Sequence, residues 1–322
     1  MNLRIQNRNK QLLSLPLPLQ STYHMFTIDP KEMKTGVFHS YMLASIAPRP
    51  IAFASTVDKE GNMNLAPFSF FNAFGSKPPT VVFSPARRVR DNTIKHTLEN
   101  IHETSEVVIN VVNYDMVQQM SLASTEYPKG VSEFVKAGFT PVKSELIRPF
   151  RVKESPVQME CKVVEVKAMG TEGGAANLII CEILLMHINE NVLTPENKID
   201  PNKIDLVARM GGDLYCRASG NALFEVAKPN SAIGMGFDRL PIDIRTSSIL
   251  TGNNLGQLGN IEKFPDVQSV DEFRRRDFMK EIFSKYGHDE KVLRDKIHEL
   301  AKTLLEQKHV EEAWKVLLCL NK

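Results

Sequence analysis

The stretch from Asn64 to Thr97, NLAPFSFFNAFGSKPPTVVFSPARRVRDNTIKHT, decides how the rest of the chain is interpreted. It begins with an apolar, aromatic-rich run that is typical of a strand. A turn at Lys77-Pro78-Pro79 leads to a second predicted strand, from Thr80 to Ser84. A basic loop follows and runs directly into a helical pattern. This order of elements suits a flat aromatic ligand that carries a phosphate group.

The basic loop offers the groups that bind a phosphate. We interpret Asp91 as the N-cap of the helix that follows. A helix start has unpaired backbone N–H groups and a positive dipole end, and both favour an anion. Nearby side chains add further donors, namely Arg87, Arg88, Arg90, Thr93 and Lys95. A solvated basic loop that caps an ordinary helix is the alternative, and composition does not decide between the two.

The aromatic run suits the flat part of such a ligand. On one continuous strand, Phe68 and Phe70 would share a face and Ser69 would lie on the other. Several phenylalanines this close together are also typical of an ordinary hydrophobic core. The polar groups of Ser69 and Asn72, with the backbone around Pro67, are the candidates for pairing with the edge of a heteroaromatic ring.

A family resemblance extends well beyond this stretch. The run RPIAFASTVDKEGNMNLAPFSFFNAFGSKPPTVVFSP (residues 49–85), followed by DNT and KHTLENI, resembles the flavin reductase-like family. The similarity extends from about Met25 to about Pro229, through DLVARMGGDLYCRASGNALFEVAKP (residues 205–229). Proteins of that family have the FMN-binding split-barrel fold, and two subunits pair with FMN bound near their interface.

The resemblance implies a cofactor for this chain and a site for it. The implied ring site comprises Pro67, Ser69, Phe70, Phe71, Asn72 and Ser84. The implied phosphate site comprises Arg88, Arg90, Asn92, Thr93 and Lys95. Ser55 and Thr56 are further candidates at the flavin edge, and Arg49 is a candidate for stabilising the anionic reduced ring. Tyr215 and the loop from Ser124 to Phe139 are expected near the substrate.

The remaining pattern predicts a mainly β fold, an antiparallel split β-barrel with peripheral helices and a C-terminal α-helical extension. Val157 to Ala168 and Ala176 to Ile188 are two long strand-like runs around a glycine-rich turn, which predicts a hairpin. Glu106 to Val112 is β-branched and predicts another strand. Many strands joined by short turns favour an antiparallel barrel over a doubly wound sheet.

Three segments are expected along the chain. Residues 1–24 form a disordered leader, residues 25–230 the FMN-binding split-barrel domain, and residues 231–322 a linker with a helical extension. The linker is expected to reach Phe264. Ser269 to Glu272 has the capping-box pattern and predicts a helix as far as Tyr286. Two further helices follow, and packing against the barrel or the dimer contact is the interpretation we prefer for them over a separate binding module.

Composition narrows the functional class. The chain has 322 residues and a formal net charge of +2, so no strong field attracts nucleic acid or a membrane surface. No apolar run approaches the roughly 20 residues that span a bilayer. There is no metal-ligand spacing, no Walker motif and no GxSxG elbow, and Gly234 to Arg239 does not fit GxGxxG. The four cysteines lie far apart, so free thiols and a cytoplasmic location are expected.

These observations predict an FMN-dependent oxidoreductase that resembles NAD(P)H:flavin reductases, working as a homodimer. Hydride would pass from NADH or NADPH to the flavin, and electrons would then pass to oxygen, to free flavin or to a partner oxygenase. The chemistry belongs to the cofactor, so no catalytic residue is assigned. The alternative is an FMN-binding redox sensor or carrier without NAD(P)H turnover. A nucleic-acid binder that uses the arginine-rich loop is disfavoured by the near-neutral charge.

Overall fold

A computed structural model describes residues 24–228 and 233–320. The chain divides into two compact units, Phe26–Phe224 and a second that begins at Glu225. Apart from His24, the expected leader lies outside the described residues.

All the strands of the described chain lie in the first unit, which we call the sheet unit. They are β1 (Ala52–Val57), β2 (Met63–Phe68), β3 (Phe71–Ser76), β4 (Pro79–Phe83), β5 (Glu106–Val111), β6 (Pro141–Val142), β7 (Arg151–Val152), β8 (Val157–Ala168), β9 (Asn177–Ile188), β10 (Leu206–Arg209) and β11 (Tyr215–Ala218). Seven of them form one antiparallel sheet in the order β2-β1-β5-β8-β9-β4-β3. The predicted hairpin is the β8–β9 pair at the centre of this sheet.

The sheet is open but strongly curled. Its two edge strands, β2 and β3, follow each other in the chain with only Ser69 and Phe70 between them. Three peptide links span at most about 11 Å, so the end of one edge strand lies close to the start of the other. Among the described residues the two edge strands are not hydrogen-bonded to each other, and the aromatic run is not the single strand that its composition predicts. The sheet curls into a barrel that is split at residues 69–70.

Five helices also belong to the sheet unit. They are α1 (Thr35–Ser45), α2 (His96–Thr104), α3 (Val117–Leu122), α4 (Glu133–Ala137) and α5 (Pro201–Ile204). Every residue of β1 is buried, because side chains on both of its faces are covered. Ala52 and Ala54 belong to one hydrophobic core, and Phe53 belongs to a second core that includes residues of α3 and α4. The ring of Phe53 packs edge-on to Phe139 at 5.1 Å.

The second unit is helical. Its helices are α6 (Ile242–Arg245), α7 (Gly252–Gly259), α8 (Val267–Arg274), α9 (Asp277–Tyr286), α10 (Glu290–Glu306) and α11 (Val310–Leu318). Its core contains Trp314, whose indole N–H donates to the carbonyl of Leu258 at 3.1 Å. Buried His298 lies in the same unit. Its Nδ1 is 2.8 Å from the Ser247 hydroxyl, and burial lowers the pKa of its imidazole.

Two predictions for this unit are wrong. The expected linker as far as Phe264 contains α6 and α7, and Leu258 of α7 is fully buried in the helical core. The expected single helix to Tyr286 is two helices, and its N-cap is Asp266, which accepts from the backbone N–H of Ser269 at 2.8 Å. With these helices included, the described chain has more helix than strand, so a mainly β description fits the sheet unit alone.

None of the described helices is long and apolar enough to cross a membrane.

Candidate functional site

A cavity of about 510 Å³ opens where the barrel is split. One wall is the end of β2 with Ser69 and Phe70, and another is the arginine-rich loop after β4. The start of α2, the loop after α3 and Glu133 complete the lining. Eight of the residues predicted to bind the ligand line this cavity: Pro67, Ser69, Phe70, Ser84, Arg87, Arg88, Arg90 and Lys95.

The apolar side of the cavity follows from the break between β2 and β3. Phe68, the last residue of β2, packs on the Phe83 ring at 5.5 Å and is therefore anchored in the barrel core. Ser69 and Phe70 leave the strand and line the cavity together with Phe68. The ring of Phe70 meets His39 of α1 edge-on at 6.1 Å. A half-exposed ring beside a hydroxyl suits a flat heteroaromatic ligand.

The other side of the cavity is cationic, and one carboxylate lies at its centre. Glu126 accepts from Arg88 Nε at 2.9 Å, from Arg90 Nη2 at 2.6 Å and from Lys95 Nζ at 2.8 Å. Hydrogen bonds from Lys95, and then from Arg88, lower the pKa of Glu126 to about 2. Asp91 also pairs with Arg90, at 3.1 Å, so the three positive charges face two carboxylates and leave a surplus of one positive charge for an anionic ligand. We call Arg88, Arg90 and Lys95 the cation triad.

Hydrogen bonds within the arginine-rich loop hold Arg88 in place. The guanidinium of Arg88 also donates to the Thr93 hydroxyl at 2.9 Å and to the Ile94 carbonyl. Asn92 has a left-handed backbone with φ of 56°, and its side chain accepts from Arg87 at 2.6 Å. These contacts aim Arg88 at the cavity.

The predicted helix start is wrong. The helix begins at His96 with Lys95 as its N-cap, because the left-handed Asn92 cannot belong to a right-handed helix. Asp91 instead forms a local turn, in which its carboxylate accepts from the backbone N–H and the hydroxyl of Thr93. The side chains of the triad, rather than the helix start at Asp91, supply the cationic character.

Two buried polar groups also face the cavity. Ser84 is 6% exposed, and its hydroxyl has no hydrogen-bond partner among the described residues. An unpaired buried hydroxyl costs stability unless a ligand or water satisfies it, so this atom is suited to a ligand's polar edge. Glu133 accepts from the Leu65 backbone N–H at 3.0 Å, and burial raises the pKa of its carboxyl group.

Three predicted residues lie away from the cavity. Ser55 and Thr56 are fully buried in β1, and the Thr56 hydroxyl accepts from the amides of Asn64 and Asn100. Arg49 is 5% exposed and donates to backbone carbonyls of Leu43, Ile46 and Met210. The Ser55 hydroxyl has no hydrogen-bond partner among the described residues, and none of these three side chains lines the cavity.

Five other predicted residues have different surroundings. Phe71 packs on the barrel core and Asn72 is exposed on β3. Asn92 shapes the arginine loop, and its amide donates to the carbonyl of Thr171 at 2.9 Å. Thr93 lines a second cavity of about 390 Å³ next to the first. The ring of Tyr215 packs under the Arg209 guanidinium at 4.7 Å, and it does not line either cavity.

Sequence reasoning missed Glu126, His96 and Glu133 as cavity residues. The resemblance indicated that the loop from Ser124 to Phe139 shapes a pocket, and Glu126 lies in that loop. A single glutamate in a loop has no local signature of its partners, which are 31 to 38 residues earlier for Lys95 and Arg88.

The comparisons with known proteins agree with this fold. Residues 44–201 match the model of the flavin reductase like domain. An uncharacterized protein of Aquifex aeolicus is 34% identical over 196 residues, which cover 61% of this chain and 97% of that relative.

Two solved structures have a similar fold. Nitrilotriacetate monooxygenase component B from Bacillus cereus aligns with a TM-score of 0.59 and 28% identity, covering 64% of this chain and 100% of that chain. A Shewanella frigidimarina protein assigned as a flavin reductase with a split barrel domain aligns with a TM-score of 0.52 and 28% identity, covering 61% and 96%. The resemblance to this family is confirmed, and the chain belongs to the flavin reductase-like family.

Proposed function

We propose that the protein is an FMN-dependent oxidoreductase that accepts hydride from NADH or NADPH. The observation that carries the proposal is one cavity with an aromatic wall at one side and the cation triad at the other. FMN has the matching division, a flat ring and a phosphate joined by a ribityl chain. The Ser84 hydroxyl, which has no hydrogen-bond partner among the described residues, can donate to or accept from the polar edge of the ring.

Each wall has a separate task in this proposal. Arg88, Arg90 and Lys95 would bind the phosphate, since guanidinium and ammonium groups form strong charge-assisted hydrogen bonds with its oxygens. Phe70 would pack on the ring, while Ser69, Ser84 and the backbone at Pro67 would bind its polar edge. The wall formed by Phe68 and Phe70 would also exclude water from one side of the ring.

The bound flavin would supply the redox chemistry, taking hydride from the nicotinamide and passing electrons onward. The residues of the chain position the reactants, and we assign no catalytic residue. The similarity to a monooxygenase component B supports an oxygenase as one class of electron acceptor, beside oxygen and free flavin.

The cysteines bear on the compartment in which the protein works. All four cysteines are free, which supports a reducing compartment such as the cytoplasm. We also propose a homodimer, as the resemblance to the family implies.

The test is the absorbance spectrum of the purified protein, followed by anaerobic addition of NADH and NADPH. A flavin spectrum that bleaches supports the reductase, and the faster nucleotide identifies the donor. A flavin spectrum that persists refutes NAD(P)H turnover and favours an FMN-binding redox sensor or carrier. Failure to bind any added FMN refutes the assignment of the cofactor.

A further inference from the structure

Glu126 is the only carboxylate in the described chain that contacts all three members of the cation triad. Its side chain is 33% exposed and faces the cavity that we assign to the ligand. A phosphate group that reached the same cations would meet this carboxylate first. Asp91 contacts Arg90 alone, whereas Glu126 occupies all three cations, so a phosphate bound to the triad would be repelled by Glu126 and would favour its displacement.

The position of Glu126 in the chain allows such a movement. It lies between the end of α3 at Leu122 and the start of α4 at Glu133, in a segment without helix or strand. No backbone hydrogen bond joins Glu126 itself to another residue of the described ranges, although Thr125 and Tyr127 are bonded locally. The carboxylate can therefore leave the triad without breaking a helix or a strand.

Glu126 also separates two cavities. The second cavity, of about 390 Å³, shares Arg88, Arg90, His96, Glu126 and Tyr127 with the first. The carboxylate and its bound cations form the partition between them. Arg88 and Arg90 line both cavities, whereas Lys95 lines the first cavity alone.

We propose that Glu126 is a displaceable internal anion, which neutralises the cation triad in the free protein and competes with the phosphate group of the ligand. The identity of that phosphate as part of FMN rests on the proposed function, whereas the competition itself needs only a phosphate. Glu126 thereby lowers the affinity of the triad for any phosphate. It favours ligands whose ring contacts offset the free-energy cost of displacing it.

The size of the effect follows from the three ion pairs. A partly exposed pair favours its closed arrangement by a factor of about 1.5 to 5. Three of them together favour the closed state by about 3-fold to 100-fold, and apparent affinity falls by the same factor when only the open state binds. Glu126→Gln should therefore raise the affinity for phosphate-containing ligands by at least about threefold.

The experiment compares wild type, Glu126→Gln and Glu99→Gln. Glu99 is a matched control because its side chain is also 33% exposed, lines the second cavity and pairs with Lys129 rather than with the triad. FMN and riboflavin affinities are measured by quenching of flavin fluorescence. Stabilisation by inorganic phosphate is measured separately as a rise in the thermal unfolding midpoint, since a ligand that binds the folded state raises stability.

The proposal predicts that Glu126→Gln raises the affinity for FMN and leaves the affinity for riboflavin unchanged. It also predicts that inorganic phosphate stabilises this variant more than it stabilises the wild type. It also predicts a smaller effect of Glu99→Gln on each ligand. Weaker FMN binding in Glu126→Gln would show that Glu126 positions the arginines, and equal effects of the two variants would show a general charge effect. Either result overturns the proposal.

A protein that binds no flavin refutes the proposed function alone. The phosphate measurement still decides the role of Glu126 in that case, because it does not depend on flavin binding. An equal response of wild type and Glu126→Gln to inorganic phosphate would then refute the competition.

Discussion

Arg88→Ala is expected to weaken FMN binding by about tenfold or more while leaving riboflavin binding unchanged. Among the triad, the Arg88 side chain is the most enclosed at 14% exposed, against 32% for Lys95 and 70% for Arg90. Solvent screens an enclosed charge least, so its contact with a phosphate should be the strongest of the three.

The expected magnitude follows from the contact that is lost. A hydrogen bond to a charged group contributes about 1.5 to 3 kcal/mol, which corresponds to about 10-fold to 150-fold in affinity. Arg90 and Lys95 remain and compensate in part, so we expect the lower end. Arg90→Ala should change FMN affinity by less than about fivefold, because solvent screens its exposed guanidinium group.

Fluorescence titration with FMN and riboflavin provides the measurement. Riboflavin lacks the phosphate and therefore tests whether the ring site has survived the substitution. Arg148→Ala is the matched control, since Arg148 is 52% exposed, pairs with Glu106 and does not line either cavity. An equal loss of FMN and riboflavin affinity in Arg88→Ala, or no loss of either, would refute the assignment of the phosphate to the triad.

Three further predictions concern the ring wall and the helical unit. Phe70→Ala should weaken the binding of FMN and of riboflavin alike, by several-fold. Phe74→Ala should weaken neither, because Phe74 is exposed on β3 away from the cavity. Unequal losses of affinity for the two flavins in Phe70→Ala would contradict this prediction. Trp314→Ala should destabilise the helical unit by about 3 to 5 kcal/mol, and Val267→Ala, at an exposed site, by less than about 0.5 kcal/mol, in urea unfolding followed by circular dichroism. Burial lowers the pKa of His298 below its ordinary value of 6.5, so the unfolded chain binds this proton first as the pH falls. The stability of the helical unit should therefore decrease as the pH is lowered below about 6.5, as reported by the fluorescence of the single tryptophan. The substitution His298→Gln should reduce this dependence of stability on pH.

Local pattern was sufficient for the elements whose partners are near in the chain. The β8–β9 hairpin was predictable because β-rich runs flank a glycine turn, and its two strands pair directly. The arginine-rich loop was identified from its composition, and Arg88, Arg90 and Lys95 do line one cavity. Their roles toward a ligand stay a prediction.

Long-range packing decided the features that sequence reasoning got wrong. The run through Phe68 and Phe71 has strand propensity throughout, and nothing local indicates that its halves lie at opposite edges of the sheet. Ser55 and Thr56 resemble exposed strand-end hydroxyls, but β1 is covered on both faces and buries them. Asn92 adopts its left-handed backbone alongside bonds from Arg87, and this turn delays the helix to His96.

A crystal structure of the protein with FMN would test the central claim most directly. We predict flavin in the cavity between Phe70 and the cation triad, with the phosphate on Arg88 and Lys95 and with Glu126 withdrawn from them. Flavin bound elsewhere, or bound in this cavity with its phosphate away from the triad, would contradict the account.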